Sequence, residues 1–124
     1  MRIFKNKVFG KWAAKEGLGD EALRTAVDEM ERGLIDADLG GCVVKKRVPI
    51  GGRGKSGGVR TLLAYRVADK AFFVYGFTKN TRANISADEL KALRNLAKEL
   101  LSYSDKELHQ AVRNGALTEV EHDG

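Results

Sequence analysis

The sequence predicts an α+β fold, and three observations carry that expectation. A β-rich block lies between residues 42 and 77, dense in valine, phenylalanine and tyrosine. Helical spacing of apolar residues precedes it, from Lys11 to Gly33. Two capping boxes follow it, at Ser86–Glu89 and Ser104–Glu107. Strands grouped centrally with helices at both ends fit an α+β layer better than an alternating βαβ chain. A length of 124 residues, 43% hydrophobic and 31% charged, fits one domain spanning 1–124.

Residues 2–9 are expected as a short strand or an extended lead-in, since Phe4, Val8 and Phe9 give no clean period. From Lys11 the pattern is helical, with Trp12 as the expected buried anchor and a break at Gly17-Leu18-Gly19. Asp20 is expected as the N-cap of a second helix, with Glu21 in its first turn. Leu23, Val27 and Met30 form its apolar stripe, Asp28, Glu29, Glu31 and Arg32 face water, and Gly33 ends it.

Residues 34–41 are a linker or edge strand, with a turn at Gly40-Gly41. Residues 42–48 form a strand in which Lys45 and Arg47 share one face and Lys46 takes the other. Residues 59–67 and 71–77 form a hairpin around Ala68-Asp69-Lys70. Strict alternation puts Phe72 and Val74 on one face of the second arm, and Ala71, Phe73, Tyr75 and Phe77 on the other. Leu90, Leu93, Leu96, Ala97, Leu100 and Leu101 follow the first capping box at helical spacing. A shorter helix follows the second box and stops at Gly115, and residues 116–120 offer a last strand.

Charge is unevenly placed. The net +5 hides ten basic side chains against Asp69 alone in residues 41–85, whereas the flanking segments are acidic on balance. Such a concentration is the footprint of a polyanion-binding face. It centres on Val43–Arg66, where two strand-like arms flank Gly51-Gly52-Arg53-Gly54-Lys55-Ser56-Gly57-Gly58. Glycine permits close backbone approach, and arginine and lysine supply charge and donors, so phosphate is the ligand that the stretch suits.

Gly54-Lys55-Ser56 is not a P-loop. The position five before Gly54 is Pro49, and a β-rich arm rather than a helix follows. Cys42 stands alone and His109 and His122 lie in the acidic C-terminal part, so no zinc constellation forms and no cofactor is expected. The single cysteine gives no disulfide framework, no apolar run reaches the ~20 residues of a membrane span, and no apolar signal core follows Met1-Arg2-Ile3-Phe4-Lys5. A cytoplasmic protein without membrane partners is expected. What remains is cation chemistry: preorganised Arg and Lys can stabilise phosphoryl charge while a ribose 2′-hydroxyl attacks its own phosphate.

Gly52-Arg53-Gly54-Lys55-Ser56-Gly57-Gly58-Val59-Arg60, Phe72–Asn80 and Asn84-Ile85-Ser86 resemble the RelE/HigB-like toxins of type II toxin–antitoxin systems, in the branch with a GRGKSGG loop. Lys11-Trp12-Ala13, Leu34–Gly40 and Lys45-Lys46-Arg47 extend the similarity over nearly the whole chain. The resemblance implies N-terminal helices packed on an antiparallel β-sheet with C-terminal helices. It implies cleavage of mRNA in the ribosomal A site, silenced by a cognate DNA-binding antitoxin. By position, Arg60 matches the phosphate-contacting arginine, with Lys55, Arg53, Lys45 and Lys79 as further catalytic candidates. Lys46, Arg47, Arg66 and Arg82 are the RNA-binding candidates. Asn80 stands where the family has an arginine and Ser86 where it has a tyrosine, so the acid–base pair stays open. Two rivals remain: a toxin of the same fold that blocks a protein such as gyrase, and a basic RNA-binding module without catalysis.

Overall fold

The computed structural model describes residues 1–50 and 58–121. Its elements run β1 (Arg2–Asn6), α1 (Lys7–Glu16), α2 (Asp20–Glu31), β2 (Ala37–Asp38), β3 (Val43–Val48), β4 (Val59–Arg66), β5 (Lys70–Thr78), α3 (Ala87–Leu101), α4 (Asp105–Arg113) and β6 (Leu117–Glu119). The strands form one six-stranded sheet in the order β2-β3-β4-β5-β1-β6. Among the described residues every pairing is antiparallel except β1 with β5, which gives the mostly antiparallel sheet that the resemblance implied with one parallel pair inside it.

The sheet is covered on both faces. On one, Phe9, Ala13, Leu23, Val27 and Met30 of α1 and α2 pack with Val44, Val48, Val59, Leu63 and Phe73. On the other, Ala97, Leu100, Leu101 and Leu108 of α3 and α4 pack with Val43, Ala64, Phe72 and Val74. This two-sided burial explains why β4 reads as a nearly continuous apolar run rather than an alternating one.

The helix ends follow from local chemistry. Asn6 caps α1 by accepting from the Phe9 amide at 2.8 Å, so the helix starts at Lys7 and not at Lys11. Phe9 is the fully buried anchor, and Trp12 is only half-buried. Gly19 rather than Asp20 is the N-cap of α2, which leaves Asp20 and Glu21 in the first turn beside the positive end of the helix dipole. Glu29 does not face water freely; it pairs with Lys46 at 2.8 Å. Both predicted capping boxes form, at Ser86/Glu89 and Ser104/Glu107.

The hairpin departs from strict alternation. Leu62 pairs with Tyr75 but Leu63 pairs with Phe73, so Val74 is one extra residue in β5. A bulge of this kind switches every later side chain to the opposite face. Tyr75 and Phe77 therefore join Phe72 and Val74 on the α3 side, and the expectation that they share a face with Phe73 is corrected. Gly76 takes their place opposite Thr61, under the Trp12 ring, where a Cβ would lie 2.2 Å from the indole. Gly58 is held by a similar contact, since its Cβ would lie 2.2 Å from the Val48 carbonyl oxygen.

Gly76→Ala is expected to push Trp12 off the sheet and to destabilise the protein by about 1–3 kcal/mol. Urea unfolding should show a lower midpoint at unchanged slope. An unchanged midpoint would mean that the indole has room to shift.

Candidate nucleic-acid interface

Strand parity sorts the three consecutive cations of β3. Lys45 and Arg47 face the α3 side, and Lys46 faces α2. Antiparallel pairing sets Arg47 directly opposite Arg60 of β4, and Arg60 in turn opposite Phe77 of β5. Lys45, Arg47 and Arg60 line a cavity of about 280 Å³ together with Asp36 and Ala83. Two arginines placed directly across from each other repel, so the sheet holds this arrangement at some cost.

Asp36 offsets part of that cost. Its carboxylate accepts from the Arg47 backbone amide at 2.6 Å and from Arg47 Nε at 3.3 Å. It thereby caps the outer edge of β3 beyond the two-residue pairing with β2. Arg60 is placed differently. Its Nη1 is buried and has no hydrogen-bond partner among the described residues. A buried guanidinium nitrogen with an unused donor is costly unless an acceptor arrives, and a phosphate oxygen is such an acceptor.

The remaining candidates divide. Lys46 is corrected as an RNA contact: it is 3% exposed, on the far face of the sheet, with its ammonium held by Glu29 at 2.8 Å and by the Leu34 carbonyl at 2.8 Å. Arg66 lies at the other end of β4 and bonds to Asp69 and to the Leu101 carbonyl, so it does not join the cavity. Lys79 is exposed in the turn after Thr78, whose partner Val59 adjoins Arg60. Arg53 and Lys55 fall outside the described residues.

Arg82 is near the cavity but already engaged. Its guanidinium donates to both oxygens of Glu89, to the Tyr75 hydroxyl at 3.1 Å and through Nε to the Asn84 carbonyl at 2.9 Å. It also lies over the Phe77 ring at 5.9 Å. Glu89 simultaneously closes the capping box by accepting from the Ser86 amide at 2.8 Å. Arg82 thus fastens the 79–86 connection, which contributes Ala83 to the cavity wall, onto the first turn of α3. The bond from Arg82, and next the one from the Ser86 backbone, hold the Glu89 carboxyl down at about 2, against an ordinary 4.5. The same bond raises the Arg82 pKa, with Tyr75 adding to it.

Tyr65 is 6% exposed and sits in the α1–α2 core, where burial raises its pKa. Tyr75 stays half-buried beside Glu89, Ala92 and Leu93. Sequence reasoning missed Asp36 as a member of the cavity and Glu89 as the partner of Arg82. The capping box did mark Glu89, but nothing in the spacing pointed to Arg82. A larger cavity of about 430 Å³ between α2 and β3 shares Arg47 but is lined by Glu21 and Glu29, which makes it a poor anion site.

Helices on both faces of a small mixed sheet, with a cationic cavity at one end of the central strands, define an α+β protein with a candidate anion site. The family model for the RelE toxin of the RelE/RelB toxin–antitoxin system matches residues 1–120, and the chain belongs to that family. Comparison with curated proteins gives no match. A cognate antitoxin is the partner that membership in this family entails. None of the described helices is long and apolar enough to cross a membrane.

The Arg82–Glu89 pair is formed wherever Glu89 is ionised. Because its folded pKa lies below the ordinary value, its stabilising effect is complete above about 4.5 and is lost as pH falls through about 2. Arg82→Gln should return the Glu89 carboxyl to the ordinary carboxylate range in an NMR titration. A carboxyl that still titrates near 2 in the variant would assign the shift to the Ser86 amide instead.

Proposed function

We propose that the chain is an endoribonuclease that cleaves mRNA in the ribosomal A site, and that it works in the cytoplasm without a metal. The observation that carries this reading is the buried Nη1 of Arg60, which has no partner among the described residues and is set among Lys45 and Arg47 in the 280 Å³ cavity. In the proposed reaction the 2′-oxygen of a ribose attacks its own 3′-phosphorus while the bond to the next 5′-oxygen breaks. The products are a 2′,3′-cyclic phosphate and a free 5′-hydroxyl. The nucleophile belongs to the substrate, so the protein needs only to hold the phosphate, stabilise added charge and move protons.

Arg60 holds a non-bridging oxygen, with Arg47 opposite it. Lys55 and Arg53 neutralise developing charge, and Lys45 or Lys79 is the proton-transfer group. Charge stabilisation of this kind acts on the transition state more than on the bound ground state, which is what accelerates a step. The antitoxin would silence the toxin by covering the cationic cavity, with acidic side chains that speed encounter.

Arg60→Ala should abolish growth inhibition while circular dichroism stays native, since losing one such donor costs roughly 3–4 kcal/mol of barrier, a hundredfold or more in rate. Primer extension after induction of the unaltered protein should show cuts within translated codons. Intact mRNA with supercoiling defects would favour the gyrase-blocking alternative, and full toxicity of folded Arg60→Ala would remove Arg60 from the site.

Hydrogen exchange of the antitoxin complex tests the silencing step. Protection at 45–48, 58–60 and 79–82 is expected. Protection confined to 12–33 would replace direct masking with steric exclusion from the ribosome.

A further inference from the structure

Arg66 did not join the cavity around Arg60, yet it is not isolated. It lines a second cavity, about 510 Å³, with Gly41, Cys42, Arg94, Asn95, Lys98, Leu101 and Ser102. Among the described residues, three cations and no carboxylate line this space. Arg60 and Arg66 are six residues apart on the same strand and point to the same face, so the two cavities lie ~20 Å apart, at opposite ends of β4.

Arg94 and Lys98 have no ion pair among the described residues, and Arg66 shares the single carboxylate of Asp69 with Lys70. Arg94 donates through Nε and Nη2 to the Leu39 carbonyl, a neutral acceptor, and its stem packs against Gly41 so closely that a Cβ there would sit 2.8 Å from Arg94 Cγ. Arg66 donates to the Leu101 carbonyl at 3.1 Å, the last residue of α3, and only at 3.3 Å to Asp69. Lys98 is exposed and has no ion pair among the described residues. Lys91 continues the same face of α3 one heptad earlier. Of the acids near this space, Asp38 accepts from the Gly40 amide, Asp69 also pairs with Lys70 at 3.6 Å, and Glu99 follows Lys98 in α3 but is not part of the cavity lining.

Carbonyl oxygens that orient guanidinium groups without cancelling their charge produce a preorganised anion site. We propose that this second cavity binds a phosphodiester of RNA, at a point away from the scissile bond held by Arg60. The inference rests on the RNA-directed reading above and extends it: the toxin grips its substrate at two places, one at each end of β4. Counterion release makes such a contact contribute to affinity in a salt-dependent way, without any part in the chemistry.

The test uses a labelled single-stranded RNA long enough to reach both cavities, with every 2′-hydroxyl methylated so that no cleavage occurs. Binding is measured over a salt series for the full chain, for Lys98→Gln and for Lys98→Gln/Arg66→Gln. Each removed cation should reduce the slope of log K against log salt by about 0.7, and should weaken binding about fivefold at ~0.1 M salt. Lys98→Glu should weaken binding further, and its urea midpoint checks that it folds. Unchanged affinity and slope in folded Lys98→Glu would overturn the proposal. So would a loss of antitoxin affinity with RNA binding intact, which would assign this face to the antitoxin. Because the probe cannot be cut, the result stands apart from whether Arg60 supports cleavage.

Discussion

The extra residue at Val74 is the constraint on which the site depends. Without it, Phe77 would point toward α1 and α2, and Arg60 would face a different neighbour across β5. The bulge is held from outside the hairpin: Asn6 Nδ2 donates to the Val74 carbonyl at 3.2 Å, while Asn6 Oδ1 caps α1 at the Phe9 amide. One side chain therefore fixes both where the first helix begins and where the central hairpin changes face. The shift also brings Gly76 beneath Trp12, so the close packing of α1 on the sheet and the exposure of Tyr75 and Phe77 to the α3 side are two results of one insertion.

Within that frame, the chain sorts its charges by strand parity. Lys46 points into the α2 layer, where Glu29 and a carbonyl satisfy it, and it serves as an internal tie between β3 and α2. Its neighbours Lys45 and Arg47 are left on the opposite face with Arg60. Repulsion between Arg47 and Arg60 is tolerable because both strands are anchored by apolar contacts on the two faces, with Val43, Val44, Val48, Val59 and Leu63 all buried. Asp36 then offsets one of the two arginines and leaves the other available.

Much of this was legible in the sequence. The capping boxes, the apolar stripes of α2 and α3, the 68–70 turn and the alternation of Lys45, Lys46 and Arg47 are local patterns, and local patterns survive folding when tertiary packing agrees with them. The start of α1 was missed because Lys7–Gly10 carries only Val8 and Phe9 as apolar residues, whereas the cap lies in Asn6. The face of Tyr75 and Phe77 was missed because a bulge changes the period by one residue and leaves no compositional trace. Asp36 and Glu89 entered the site through contacts made at long range or through a loop, which spacing does not encode. The solvated reading of Glu29 failed for the same reason: its partner is on another element.

The charge count of the central segment also takes on a different meaning once the chain is folded. Ten cations against Asp69 suggested one broad positive field. Acids from the flanking segments are in fact brought into it: Glu29 to Lys46, Asp36 to Arg47 and Glu89 to Arg82. Each of these pairs positions an element, respectively α2, the β3 edge and the loop before α3. The field that remains is smaller than the sequence count but more sharply placed, and it falls at the two ends of β4. At one end, Arg60 presents a buried donor that nothing among the described residues satisfies. At the other, Arg66, Arg94 and Lys98 surround a space that no carboxylate of the described residues lines. The acids of the flanking segments thus act as spacers that fix the structural cations, so that Arg60, Arg94 and Lys98, which have no ion pair among the described residues, stand apart from them.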